Sequence, residues 1–168
     1  NRFNGENKYA FFKITQSSSL ILNNIKFING YTDSYSQLGI INNLGTLLIN
    51  NSSFNKMNSN MGTFFNEGNL TIKNSNVTNA ISLNMAHVLT NIGETTILNS
   101  RLIKNGGYSQ VINTVYNYNK ICIINSQVEN LLSNNEYDEG SYKTASIIIN
   151  NSKLNNIDFE DAFVRING

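Results

Sequence analysis

Six asparagines divide the chain into near-equal lengths. Asn24, Asn51, Asn74, Asn99, Asn125 and Asn151 follow one another at intervals of 27, 23, 25, 26 and 26 residues. Each sits in a segment of the form Leu-x-Ile-x-Asn-Ser-x-Phe or a close variant. Self-similarity at a period of 20–50 residues is the signature of stacked repeats. The repeat therefore limits the fold before any local reading does.

Around each anchor the apolar residues alternate. Two positions before stand Leu22, Ile49, Ile72, Ile97, Ile123 and Ile149, and four before stand Leu20, Leu47, Leu70, Thr95, Ile121 and Ile147. Period-two alternation with branched side chains marks a strand with one buried face. Three positions after come Phe27, Phe54, Val77, Leu102, Val128 and Leu154. The step from minus two to plus three is odd, so a straight strand would place the two sets on opposite faces. A bend at Asn-Ser brings both sets into one core, and Asn tolerates the left-handed conformation such a corner needs. Serine follows the anchor at Ser52, Ser75, Ser100, Ser126 and Ser152, with Ile25 as the exception.

A second block lies upstream. Gly45, Gly68 and Gly93 stand six residues before an anchor, with Asn43, Asn66 and Asn91 two residues earlier, and Asn117 and Asn119 hold the equivalent places in the repeat anchored by Asn125. Apolar Ile14, Ile41, Phe64, Leu89 and Val115 stand ten before. One repeat thus reads strand, turn, strand, Asn corner, short strand, variable loop. This is the unit of an all-β, right-handed parallel β-helix of about six to seven coils of roughly 25 residues, with three parallel sheets. The anchors are expected to form a buried ladder at one corner, because an amide both donates and accepts. Sustained runs of period 3.6 and a Leu-x-x-Leu-x-Leu frame are both missing, which excludes helical solenoids and leucine-rich repeats.

About one residue in five is Asn. Such bias alone reads as a low-complexity tract, but the regular apolar spacing supplies each coil with its own buried stripe. The net charge is +1 and no basic run occurs, so nothing favours nucleic acid. No apolar run reaches the length of a membrane helix, so this segment is not expected to insert in a membrane. Residues 1–168 read as a single β-helix segment excerpted from a longer solenoid. Phe3-Asn4-Gly5 matches Phe27-Ile28-Asn29-Gly30, and Val164 to Gly168 matches the glycine turn that leads into a new strand.

Gly62-Thr-Phe-Phe-Asn-Glu-Gly-Asn-Leu-Thr-Ile-Lys-Asn-Ser-Asn-Val77 and Gly45-Thr-Leu-Leu-Ile-Asn-Asn-Ser-Ser-Phe54 carry a resemblance. They resemble the adhesin-like surface proteins of methanogenic archaea and are similar to the polymorphic outer membrane proteins. Both groups resemble the wider pectate-lyase-like β-helix superfamily. The resemblance covers most of the chain and implies a cell-surface, extracellular setting. Only Gly39-Ile40-Ile41 and Gly62-Thr63-Phe64 echo the Gly-Gly-Ala-Ile element common to both groups.

Enzymes of this shape need clustered carboxylates on an outer face. The outward positions nine before each anchor are Thr15, Asn42, Phe65, Thr90, Tyr116 and Tyr142, with no acid. Two after each anchor stand Lys26, Ser53, Asn76, Arg101, Gln127 and Lys153, a row that leans basic. Two positions further on, Glu129 is the lone acid. No catalytic residue is therefore assigned. No metal or cofactor is expected either, with Glu136, Asp138 and Glu139 as weak calcium candidates through their oxygen ligands. Asp158, Glu160 and Asp161 form a second acidic group that reads as solvated. His87 lacks the neighbours of a metal set, and Cys122 reads as a small filler on an outward position.

Tyr31, Tyr35, Tyr116, Tyr142 and Phe65 are the candidate contacts for a glycan or protein partner, since aromatic faces pack on sugars and are enriched at interfaces. Outward positions three before the anchor, Ile21, Leu48, Thr71, Thr96, Cys122 and Ile148, form an apolar stripe that a partner or neighbouring copy would cover. Of the sequons at Asn50, Asn51, Asn69, Asn76 and Asn150, Asn51 is expected to be shielded in the ladder. The sequence thus points to a non-enzymatic extracellular stalk or adhesin segment whose partner is a cell-surface glycan or host protein. The alternatives are a carbohydrate-active lyase or hydrolase, and a self-assembling unit of a sheath, spike or filament that stacks end to end.

Overall fold

The computed structural model describes residues 1–33, 35, 38–106, 113–133, 145–159 and 162–167. It is a parallel β-solenoid, and among the described residues no helix occurs. Each turn contributes a leading strand, a five-residue central strand and a trailing strand. The central strands Ser19–Asn23, Thr46–Asn50, Asn69–Lys73, Glu94–Leu98, Lys120–Ile124, Ser146–Asn150 and Phe163–Asn167 form one seven-stranded parallel sheet. Their register places like on like, with Leu22, Ile49, Ile72, Ile97, Ile123, Ile149 and Ile166 in one column. Leading and trailing strands belong to a 12-stranded sheet rather than to two separate ones, because Gln127–Ser133 and Lys153–Phe159 run through both columns. In these two coils the trailing strand runs on into the leading column without a break.

The bend at the anchor is as the odd apolar step requires. Asn24, Asn51, Asn74, Asn99, Asn125 and Asn151 have φ between 44 and 57°, the left-handed region. Phe27, Phe54, Val77, Leu102 and Val128 on one side of the corner and Leu22, Ile49, Ile72, Ile97 and Ile123 on the other are all buried in one core. Toward the first coils that core is aromatic. Phe27 stacks on Phe54 with ring centroids 4.5 Å apart, and Phe3 on Phe27 at 5.4 Å.

The interior amide ladder lies at a different corner from the expected one. Asn43 donates to Asn66, Asn66 to Asn91 and Asn91 to Asn117, each at 2.8 Å, and all four are buried. They end the leading strands, where the chain turns into the central strand. The same Nδ2 atoms also donate to backbone carbonyls of the next rung, from Asn43 to Asn69, Asn66 to Glu94 and Asn91 to Lys120. The column begins at Asn43, whose Oδ1 has no partner, because the rung below carries Ile14 in that register. Ile14 was expected to align with Ile41, but Phe12 does so, and the four-residue turn Thr15 to Ser18 absorbs the shift.

The anchor asparagines are instead exposed. Some bond along the outer edge, Asn51 to Asn24, Asn99 to Asn74 at 3.3 Å and Asn151 to Asn125 at 3.0 Å, while Asn74 donates to Asn50. A left-handed residue at a convex corner projects its side chain outward, so the residue after it turns in. That residue is serine, and the hydroxyls form their own column. The N–H groups of Ser52, Ser75, Ser100 and Ser126 each donate to the Oγ of the next serine at 3.0–3.1 Å. Ile25 joins as a donor to Ser52.

A second left-handed corner follows five residues after each anchor, at Asn29, Lys56, Asn79, Lys104, Asn130 and Asn156. Between the two corners fits a trailing strand of three residues or fewer in most coils. Val164 and its neighbours are not a turn: Phe163–Asn167 is a central strand, with Val164 level with Ile147. Asn150 pairs with Asn167, so that turn takes 17 residues, against 26 between Ile124 and Asn150. The repeat is thus a short triangular coil plus insertions.

Candidate functional site

Insertions between trailing and leading strands stack on one flank of the solenoid. Asn58–Ser59 pairs with Ile81–Ser82, and Tyr31 bridges to Asn58. Beneath them lies a buried polar set. Asn60 N–H donates to Thr32 Oγ1, Ser82 Oγ donates to the Asn60 carbonyl at 2.7 Å, and Thr90 Oγ1 donates to the Met61 carbonyl at 2.8 Å. His87 belongs to this set. It is 1% exposed and its Nδ1 accepts the Ser82 N–H at 2.9 Å, a structural use of the imidazole.

These insertions also cover the outside of the leading strands, which changes the reading of the aromatic candidates. Phe65 points outward from its strand yet is 6% exposed, and a side chain at Gly39 would collide with its backbone. Phe65 is a second-layer core residue and not a contact residue. Asn42 and Thr90, its neighbours in that row, are buried for the same reason. Tyr116 is half-buried, with its ring 6.0 Å from that of Tyr118. The residue beside Tyr116 in the next coil is Leu132, not Tyr142, because Leu131 takes the level of Val115. Tyr142 itself lies outside the described residues. Tyr31 is half-buried, while Tyr35 is 93% exposed.

The outer face of the central sheet keeps its apolar character. Ile21 is 67% exposed, and Leu48, Cys122 and Ile148 are half-buried in the same row. A shallow groove crosses it, lined by Asn69, Thr71, Glu94, Thr96, Lys120 and Cys122, with a Lys120–Glu94 ion pair of 3.1 Å on its margin. Burial pushes the Cys122 thiol above its ordinary range, and nearby Lys120 pulls the other way.

The outer face of the trailing strands has the opposite character. Arg2, Lys26, Ser53, Asn76, Arg101, Gln127 and Lys153 form an unbroken register row. The sequence gives this row a basic lean, and the register extends it by Arg2. Glu129 neighbours it, but its Oε2 accepts the Lys104 N–H at 2.9 Å, so this acid caps the second corner.

Among the described residues no group of three His, Cys, Asp or Glu side chains is placed to hold a metal ion. The calcium candidates Glu136, Asp138 and Glu139 lie outside the described residues, as do Glu160 and Asp161, while Asp158 is exposed. Asn51, expected to be shielded from glycosylation, stands exposed at its corner. Among the described residues no helix is long and apolar enough to cross a membrane. No protein-family model, no curated protein and no solved structure matches the chain.

The second corner and the serine column escaped the sequence reading although both leave a trace. Asn or Lys recurs five residues after every anchor, and serine follows five of six anchors. Neither position is apolar, so neither stands out in a search for a buried stripe.

Proposed function

We propose that this chain is a non-enzymatic display segment of a cell-surface adhesin or stalk. The observation that carries the reading is the uninterrupted parallel register of the solenoid. It holds every outward row at one rung spacing, about 4.8 Å. Side chains spaced so regularly suit a partner that is itself extended and repetitive, which favours a glycan over a compact protein. The resemblance to adhesin-like proteins supports the extracellular placement.

The test is a glycan-array screen of the purified chain, run with and without calcium, with products followed by mass spectrometry. Retention of a glycan without cleavage is the expected result. Cleavage of any glycan would overturn the non-enzymatic reading and favour a polysaccharide lyase or hydrolase. Silence across the array would overturn the adhesive role.

One observation favours a second reading, self-association. Ile157 and Ile166 occupy core-facing columns but are 39% and 68% exposed, and so offer an apolar end-face to a second copy or to further coils. Sedimentation velocity over a concentration series separates the two: a constant monomeric value excludes stacking.

A further inference from the structure

The chain has a net charge of +1, yet one face carries an excess of cations. In the trailing row Arg2 and Lys26 are adjacent rungs, Arg101 follows three rungs on, and Lys153 two rungs beyond that. All four are exposed, and none makes an ion pair among the described residues. Between them stand only hydrogen-bonding side chains, Ser53, Asn76 and Gln127. Lys56 and Lys104 at the second corner add exposed cations along the same face. Four of the six described acids lie elsewhere. Glu67 and Glu94 are at the turn into the central sheet, Asp33 is in an insertion, and Asp158 is on a leading segment. Glu6 lies at the margin of the face, and Glu129 is already engaged by the Lys104 amide.

We propose that the outer face of the trailing strands binds a linear acidic polysaccharide lying along the solenoid axis. The inference rests on the adhesive reading and names the class of ligand. Cations separated by one to three rungs, about 5–14 Å, meet a polymer whose carboxylates or sulfates are spaced by sugar rings. The intervening amides and hydroxyl meet sugar hydroxyls. Duplex DNA carries a phosphate charge about every 1.7 Å of its axis, far denser than this row. Among the described residues the outward row carries no aromatic side chain on which bases would stack. Charge complementarity therefore favours the glycan polyanion.

The experiment compares carboxymethylcellulose and alginate with hydroxyethylcellulose, a neutral polymer on the same backbone as the first, and with single-stranded poly(dT). Binding is read by affinity electrophoresis and calorimetry on the 168-residue chain. The expected result is retention by the two polyanionic glycans, lost with rising salt. The variant K26Q/R101Q/K153Q is expected to bind about tenfold more weakly or worse at unchanged melting temperature, since the three side chains are exposed. The control K13Q/K120Q/R165Q removes the same charge from other faces and should bind as the parent does. Equal loss in both variants would reduce the effect to net charge and overturn the site. Tighter binding to poly(dT) would overturn the ligand class. Equal binding to the neutral polymer would overturn the charge argument while leaving the adhesive reading standing. No binding to either polyanion at low salt would overturn the proposal, and cleavage of a polymer would overturn the adhesive reading instead.

Discussion

At the scale of the residue, this chain uses asparagine for two different jobs. Asn91 is buried between Asn66 and Asn117, and it also accepts from Thr95 Oγ1 at 2.7 Å. Leucine there would leave several of these groups without partners, at a cost of about 2–4 kcal/mol. Asn99 is exposed with φ 49° and serves through its backbone. Leucine at 99 should therefore cost only about 1 kcal/mol, and Asn99→Gly should be close to neutral. Urea midpoints of the three variants check this ordering; an equal loss for Asn91→Leu and Asn99→Leu would refute it. Lys56 fills the second corner with φ 57°, where asparagine is easier to accommodate. Lys56→Asn should gain about 0.5–1 kcal/mol, visible as a raised urea midpoint. The sequence made the corners legible, because an odd apolar step demands a bend. It did not say which amides were inside. A recurrent Asn satisfies both a left-handed backbone and a hydrogen-bonded column, and pattern alone does not separate the two. What separates them is the serine that follows five of the six anchors. A small hydroxyl can turn inward and bond within the wall, which leaves the anchor outside.

At the scale of the element, six of the seven central strands are legible because their period-two pattern precedes an anchor asparagine, whereas Phe163–Asn167 precedes none and reads as a turn. The leading strand is not legible. Ile41-Asn42-Asn43, Phe64-Phe65-Asn66 and Leu89-Thr90-Asn91 are buried at every position, so no alternation marks an outer face. What covers them is the stacked insertions, which differ in length from coil to coil and share no repeat. Counting back from the anchor also assumed that the insertion always precedes the leading strand. Between Ser133 and Ala145 it follows that strand, which is why Leu132 stands where Tyr142 was expected. Phe65→Ala is the direct test of the corrected role. Removal of a ring that is 6% exposed should cost about 3–5 kcal/mol in denaturant unfolding. Glycan retention measured below the unfolding transition should not change. A stable variant that lost binding would restore Phe65 as a contact residue. The basic row on the trailing strands was visible from the sequence, but its continuity through Arg2 required the register.

At the scale of the whole molecule, each rung touches only its neighbours, so stability should be distributed as in other stacked repeats. The middle rungs are closed on both sides. Leu70, Ile72, Ile97, Ile121 and Ile123 are at most 2% exposed. The last described rung is covered on one side only: Val164 is half-buried and Ile166 is 68% exposed. A nearest-neighbour stack then opens from its least covered rung inward, because losing that rung forfeits one interface while opening the centre forfeits two. Native-state hydrogen exchange should show this as a gradient. Amides of Glu94–Leu98 and Lys120–Ile124 should exchange slowest, and those of Phe163–Asn167 fastest. The variant Ile97→Ala should cost about 2–5 kcal/mol and speed exchange on both sides of its rung, whereas Val164→Ala should speed it only nearby. One exchange rate shared by every central strand would mean that the solenoid opens as a single unit. Rigidity along the axis would then come from global cooperativity rather than from rung-to-rung stacking. The rung-wise outcome matters for display. A stack that frays at one face while its middle stays closed keeps Arg101 held at fixed spacing from its neighbours when the last rung opens, and it is that spacing which a long, repetitive ligand would recognise.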